Sequence, residues 1–181
     1  MSNRRTQNLV ISALLCAIGI AIPMFSPLKV VIPPASFTLG SHIAIFIAMF
    51  ISVPVAAAVA LGTTLGFLLG GFPPVIVLRA LSHVVFAVAG AYIITKMPGI
   101  LASVKKTAVF ATTVGLLHAV CEVVVVTAFY FGTEALSPRY YDSGFIQSVL
   151  LLVGAGTVIH SCVDFIIAVC IWKIIPSKKR Y

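Results

Sequence analysis

The sequence predicts an all-α integral membrane protein: one domain, residues 1–181, folded as a bundle of six transmembrane helices. Composition is the first reason, because 61% of the residues are hydrophobic and only 9% are charged. Mean hydropathy is the second, at +1.18, and such a chain needs lipid as its solvent. The third is length, since six helices of about 20 to 25 residues leave no room for a soluble catalytic domain.

Apolar runs place the six spans at about residues 8–25, 38–52, 54–71, 74–96, 107–131 and 147–174. The first run follows two arginines but ends without a clear small-residue cleavage site, so we interpret it as a retained helix and not as a signal peptide. The second and third spans are divided at Ser52-Val53-Pro54. A serine two residues before a proline is typical of a helix N-cap followed by the first helical turn.

The distribution of lysine and arginine supports the sixth span and predicts that both termini are cytoplasmic. The outer loops hold only Lys29 and Arg139, and Arg79 lies within a span. Positive charge concentrates on the cytoplasmic side of short loops, so the net charge of +8 reflects topology and not a nucleic-acid partner. The remaining basic residues all fall on the inner side: Arg4, Arg5, Lys96, Lys105, Lys106, Lys173, Lys178, Lys179 and Arg180.

Two outer connections carry structural signals. The first, residues 27–37, combines hydrophobic residues with Pro33-Pro34, so we expect it to fold against the bundle, where it could act as a lid. The second, residues 132–144, contains Tyr140 and Tyr141, which suit the aromatic belt at a membrane surface. An interfacial loop and a binding loop are equally compatible with the second pattern.

Ionisable residues within the spans are the main functional signal, because each is costly in hydrocarbon and must face a cavity or a partner. Three pairs have i, i+4 spacing, which puts both members on one helix face. Three neighbouring helices could therefore turn polar faces toward a common interior. The pairs are Arg79 with His83, His118 with Glu122, and His160 with Asp164, and His42 lies on the second span.

Arg79 is the side chain best shaped to grip a carboxylate through two parallel hydrogen bonds. The sequence leaves two roles open for it: capture of an acid, or neutralisation of Glu122 or Asp164. His83 would orient the ligand or that ion pair. For His42 and His118 we favour the interpretation of hydrogen-bonded interior histidines.

Catalytic and metal signatures are missing from the sequence. There is no HExxH, GxSxG or GxxxxGK[ST] motif, so we predict no enzymatic activity and no cofactor, and any ATP must be bound by another subunit. The histidines are spread over four spans without a tight motif, and the four cysteines have neither zinc-site nor disulfide spacing. We therefore predict no metal site.

Small residues recur every fourth position on two helices. Ala13, Ala17 and Ala21 clear one face of the first, and Gly62, Gly66 and Gly70 clear one face of the third. Such faces usually pack helices within a bundle, although they can also receive a partner.

These features together resemble an S-component, the substrate-binding membrane subunit of an energy-coupling factor (ECF) vitamin transporter, over nearly the whole chain. The resemblance rests on the six-helix layout, the alanine-spaced first helix, the hydrophobic first outer loop and the lack of a nucleotide site. The stretches PASFTLGSHIAIFIAMFIS and GGFPPVIVLRALSHVVFA are most similar to the niacin-specific group.

The resemblance implies capture of a vitamin near the outer leaflet of a bacterial plasma membrane, between the outer loops and helices four to six. It also implies docking through Ala13, Ala17 and Ala21 onto a transmembrane coupling subunit served by two ATPases, with the S-component toppling to carry its ligand inward. Arg79 would hold the nicotinate carboxylate, with His83, His160 and Phe37 near the ring. The full set of predicted substrate-binding residues is Arg79, His83, Glu122, His160, Asp164, Phe37 and His42.

Other functions stay open at this point. Glu122 and Asp164 are not explained by a small anion, so a zwitterionic or cationic vitamin is an alternative, and pantothenate is another acid that suits Arg79. The rival class is an autonomous carrier or channel, including a homo-oligomer joined through the glycine face of the third helix.

Overall fold

The computed structural model describes residues 2–32, 35–132 and 138–175; Pro33-Pro34 and residues 133–137 of the two outer connections lie outside the described residues. The described chain is helical except for one β-hairpin and short connections. Its helices are α1 (Ser2–Phe25), α2 (Ile43–Ile51), α3 (Val53–Leu69), α4 (Pro74–Lys96), α5 (Val104–Gly132), the short α6 (Arg139–Asp142) and α7 (Gly156–Ile174), with a π-helical segment (Ile146–Ala155) leading directly into α7.

Four helical stretches are long and apolar enough to cross a membrane: Asn3–Phe25, Pro74–Lys96, Val104–Gly132 and Ile146–Ile174. α3 is an apolar helix of 17 residues. α2 has only nine, which span about 14 Å against a hydrocarbon core of about 30 Å. The protein is therefore a helical membrane bundle. The predicted second span, residues 38–52, is longer than the helix that forms there, which is α2.

A hairpin accounts for the shorter α2 and adds β structure that the all-α prediction lacks. Strand β1 (Lys29–Ile32) pairs antiparallel with β2 (Ala35–Thr38), with Lys29 opposite Thr38. A turn through Gly40 then leads to α2, and Gly40 has a φ of 84°, a conformation that glycine adopts at no steric cost. Residues 35–42 thus extend the apolar run without being helical.

The hairpin folds against the bundle, as the sequence predicts for this connection. Ala35 is 1% exposed and packs in a cluster with Val126 of α5 and Val149 and Val153 of the π-helical segment. Phe37 lies over Gly156, where an added Cβ would collide with its ring. The glycine at the start of α7 therefore lets the hairpin approach closely.

Other helix boundaries match the sequence closely. Ser52 separates α2 from α3, and its hydroxyl accepts a hydrogen bond from the backbone N–H of Val55 at 3.4 Å, which confirms the predicted N-cap. α4 runs from Pro74 to Lys96, the predicted limits. The sixth predicted span begins as the π-helical segment, a departure that no periodicity in the sequence reveals.

An aromatic core fills one end of the bundle, and we define it as Phe46, Phe86, Phe110 and Phe165. All four side chains are buried, three of them at 0 or 1% exposure. Their ring centroids lie 5.1 to 5.8 Å apart where they touch, the spacing of favourable aromatic pairs. On α4, α5 and α7 the predicted i, i+4 pairs of ionisable residues lie beyond this core, toward the hairpin, whereas the lysines of these helices lie at their opposite ends.

The small-residue faces of α1 and α3 have different roles. Gly62 and Gly66 meet Cys16 and Ile20 of α1 so closely that an added Cβ would collide, so the glycine face packs within the chain. Ala13, Ala17 and Ala21 are exposed, and α1 is buried instead through residues such as Ser12 and Leu15.

Candidate functional site

A cavity of about 100 Å³ lies at the hairpin end of the bundle. A water-sized group needs about 10 to 15 Å³ of such volume, so the cavity suits a ligand of roughly seven to ten non-hydrogen atoms. The cavity is lined by the hairpin, by the turn that leads into α2, and by helices α1, α3, α4, α5 and α7. The lining residues are Gly19, Pro23, Lys29, Phe37, Thr38, Ser41, His42, Ala44, Ile45, Thr63, Phe67, Phe72, Ile76, Arg79, Ala80, His83, Glu122, Thr157 and His160.

Arg79 pairs with Glu122 across the wall of this cavity, and not with Asp164. The distance from Arg79 Nη2 to Glu122 Oε2 is 2.8 Å, and the two side chains are only 13% and 4% exposed. Thr157 donates its hydroxyl to the same carboxylate oxygen at 2.6 Å. The ion pair is thus held by α4, α5 and α7 together, and a buried pair needs such added hydrogen bonds to offset its desolvation.

Two histidines contact the other oxygen of Glu122. His83 Nε2 and His118 Nε2 each lie 3.4 Å from Oε1. His118 is fully buried, and its Nδ1 lies 2.5 Å from the hydroxyl of Ser161. His118 is therefore the hydrogen-bonded interior histidine that the sequence predicts, whereas His83 lines the cavity.

Asp164 is fully buried and does not belong to the cavity lining. Its oxygens accept hydrogen bonds from the backbone N–H groups of Gly40 at 2.8 Å and His42 at 3.0 Å. His42 Nδ1 also lies 3.2 Å from Asp164 Oδ2. Asp164, on α7, therefore anchors the turn that joins the hairpin to α2. This position differs from the place in the cavity wall that we expected for a ligand-contacting residue.

His42 is the centre of a cluster of four histidines. Its ring centroid lies 4.9, 4.7 and 5.0 Å from those of His83, His118 and His160. His42 also lines the cavity, and its Nδ1 lies within hydrogen-bonding distance of Ser41 and Asp164. Although the histidines are dispersed in sequence, the fold brings their donor atoms to within 4.8 Å in two groups that could hold a metal ion: His42 with His83 and His118, and His42 with His160 and Asp164.

Phe37 brings the hairpin onto the cavity. Its ring centroid is 5.5 Å from that of His160, with the two planes tilted by 53°. Phe37 and His160 both line the cavity, as does Arg79. Three of the residues predicted to contact a ligand thus border the same cavity.

Sequence analysis missed several polar residues of the site, namely Ser41, Thr157, Ser161 and the cavity-lining Lys29. A signal for two of them was present. Thr157 and Ser161 follow the same three- and four-residue spacing as His160 and Asp164, which makes one polar stripe along α7. Ser41 and Lys29 carried no such signal, since their position depends on the hairpin.

The fold and the site together define a helical membrane protein with a partly enclosed pocket that suits a small polar molecule. A guanidinium, three histidines and an aromatic ring converge on a space the size of a single substituted ring, which suits recognition by charge and hydrogen bonding.

Comparison with known proteins identifies the family. Over 173 residues the chain is 40% identical to the niacin transporter NiaX of Lactococcus lactis subsp. cremoris (strain MG1363), an alignment that covers 96% of this chain and 76% of the relative. The chain belongs to the family of this niacin transporter, which confirms the resemblance to the niacin-specific group and indicates a transport role rather than an enzymatic one. No family profile matches the chain, and neither does a solved structure.

Proposed function

We propose that this chain is the niacin-binding S-component of an ECF importer, with nicotinate as its ligand. The observation that carries the proposal is the position of Arg79 in the wall of a cavity of about 100 Å³, in a chain whose relative is a niacin transporter. Nicotinate has about nine non-hydrogen atoms, which fits a space for roughly seven to ten.

Arg79 binds the carboxylate in the proposed complex. A guanidinium carries five N–H donors in a planar fork, so it can serve Glu122 and a ligand carboxylate together. Glu122 accepts a hydrogen bond from the guanidinium and is itself held by the hydroxyl of Thr157, which lowers the ordering cost of binding. His83 lies one turn further along α4, beside the carboxylate of Glu122.

The pyridine ring lies between the hairpin and α7 in this proposal. Phe37 and His160 provide aromatic faces on that side of the cavity, and aromatic pairs with offset or tilted rings are favourable. The hairpin then acts as the lid, and Asp164 fixes its base. His42 supplies a hydrogen-bonding group on the cavity floor.

Delivery of the ligand depends on other subunits. We propose six membrane passages with both termini cytoplasmic, α2 and α3 forming the two short ones, in the plasma membrane of a bacterium. Ala13, Ala17 and Ala21 form the face for a transmembrane coupling subunit that works with two ATPases. Their exposure supports this role, because none of them is needed for packing within the chain.

The docking face is tested by enlarging one alanine. Ala17→Leu should abolish ATP-dependent uptake in proteoliposomes that contain the coupling module, while nicotinate binding by the purified chain stays within about twofold of wild type. Ala128→Leu is the matched control, because Ala128 is an exposed alanine on α5 and uptake should survive there. Equal uptake by both variants would remove α1 from the interface.

An autonomous carrier is the alternative function, and the packing of α3 argues against its homo-oligomeric form. Gly62 and Gly66 are occupied by α1 of the same chain and so do not offer the glycine face to a second copy. Uptake of nicotinate by proteoliposomes that hold this chain alone would favour the carrier. Uptake only with the coupling module and ATP would favour the S-component.

The ligand is tested by equilibrium dialysis of the purified chain against labelled nicotinate, nicotinamide, pantothenate and thiamine. We expect nicotinate to bind with a sub-micromolar Kd, about 8 kcal/mol or more, and nicotinamide to bind more weakly because it lacks the charge that pairs with Arg79. Tight binding of pantothenate or thiamine instead would leave the proposed class of protein unchanged but would change the proposed substrate.

A further inference from the structure

The floor of the cavity carries a compact group of four donor atoms from two parts of the fold, which are helix α7 and the turn before α2. Asp164 Oδ2 lies 3.2 Å from His42 Nδ1 and 3.4 Å from His160 Nε2. The hydroxyl of Ser41 lies 3.2 Å from the same nitrogen of His42 and 3.0 Å from the same nitrogen of His160. Two imidazoles, a carboxylate and a hydroxyl thus surround one point at the base of the hairpin.

These spacings match the first coordination shell of a tetrahedral metal ion. Zinc binds histidine nitrogen and carboxylate oxygen at about 2.0 to 2.2 Å, so ligand atoms on a zinc tetrahedron lie roughly 3.3 to 3.5 Å from one another. The two contacts of Asp164, at 3.2 and 3.4 Å, are close to this value. Imidazole and carboxylate ligands suit zinc, and also cobalt and nickel.

The surroundings of the group also resemble those of a metal site. Asp164 is held by backbone N–H groups of Gly40 and His42, and such outer hydrogen bonds orient metal ligands. The His42 and His160 side chains are 12% and 11% exposed and line the cavity, so an ion could enter from that side.

The balance of buried charges is a second and independent reason to expect a cation beside Asp164. Within the spans, Arg79 balances Glu122, and Asp164 leaves one buried negative charge in excess. Lys29 lies at the exposed rim, where solvent screens it. An anionic vitamin would add a second negative charge, whereas a divalent cation beside Asp164 would make the buried groups neutral with the ligand bound. This balance rests on the acid ligand proposed above; the donor geometry does not.

We propose that His42, His160 and Asp164, with Ser41 beside them, bind a divalent transition-metal ion of the zinc class at the floor of the cavity. The ion is held at the junction of the hairpin, α2 and α7. It would fix the base of the lid and present positive charge to the cavity.

The test uses zinc alone, without niacin. The full chain is purified with a tag that contains no histidine, stripped with a chelator and titrated with Zn²⁺ by calorimetry, and with Co²⁺ by absorption. We expect one ion per chain with a micromolar or tighter Kd, and a tetrahedral cobalt spectrum without a thiolate band. His160→Gln and Asp164→Asn should each weaken zinc binding at least tenfold, as measured on folded protein.

His83→Gln is the matched control, because His83 contacts His42 and lines the same cavity but is not among these ligands. Its zinc affinity should equal that of wild type. Absence of zinc binding by the wild type would overturn the proposal, and so would equal affinity in His160→Gln and wild type, or loss confined to His83→Gln. Because niacin is absent from this titration, its failure leaves the proposed ligand untouched, and failure of the dialysis leaves the metal site untouched.

Discussion

The two ends of the bundle are built from the same helices but use opposite chemistry. α4, α5 and α7 supply Phe86, Phe110 and Phe165 to the aromatic core and, beyond it, the charged and hydrogen-bonded groups around the cavity. The core end has close apolar packing and ordinary α-helix. The cavity end has a hairpin, a π-helical segment and a buried ion pair, which are costly features that persist where function needs them. Apolar packing and polar recognition groups are therefore separated along each helix.

The largest effect should come from breaking the ion pair at the cavity end. Glu122→Gln removes the carboxylate that receives Arg79, Thr157 and two histidine contacts, and loss of one partner of a buried pair costs about 3 to 5 kcal/mol. Chemical unfolding of the detergent-solubilised chain measures this loss. A change below about 1 kcal/mol would mean that the pair is not buried as described.

An effect of comparable size on stability is expected in the aromatic core. Phe165→Ala leaves a cavity between Phe46, Phe50 and Phe110, and truncation of a buried phenylalanine to alanine costs about 3 to 5 kcal/mol. The folded variant should keep its nicotinate affinity within about twofold, measured by the same dialysis. A large loss of affinity without unfolding would show that the two ends are coupled.

The smallest effect is expected at the boundary of α2 and α3. Ser52→Ala removes the N-cap hydrogen bond to Val55, and because this bond is long, the cost should be near the lower limit for caps, about 0.5 kcal/mol. Ser52→Thr serves as the control, since threonine also caps. Unfolding curves should shift for alanine only; identical curves for both variants would show that Pro54 alone sets the helix start.

How far the sequence predicts this molecule differs between the two ends. Helix limits at the core end follow from apolar runs and from local signals such as Ser52, and those predictions agree with the structure. At the cavity end, the run that contains Phe37 and Gly40 has no proline and no Asp, Glu, Lys or Arg from residue 35 to residue 51, and length alone cannot separate a short strand from a helix.

The sequence predicts which residues form the site better than it predicts which of those residues pair with one another. The i, i+4 spacing identifies Arg79, His83, Glu122, His160 and Asp164 as inward-facing because ionisable residues in spans need partners. Which carboxylate receives Arg79 depends on how α4, α5 and α7 rotate against one another, and packing decides that. For the same reason the meeting of four histidines could not be derived from their positions in the chain.

The central claim is that Arg79 recognises a carboxylate, and a charge-neutral double variant tests it most directly. Arg79→Gln with Glu122→Gln removes both buried charges, so the chain should fold with a stability close to wild type. Nicotinate affinity should then fall about 100-fold, which corresponds to about 3 kcal/mol for a charge-assisted pair, while the weaker nicotinamide binding changes little. Wild-type nicotinate affinity in the folded double variant, measured by equilibrium dialysis, would contradict this account.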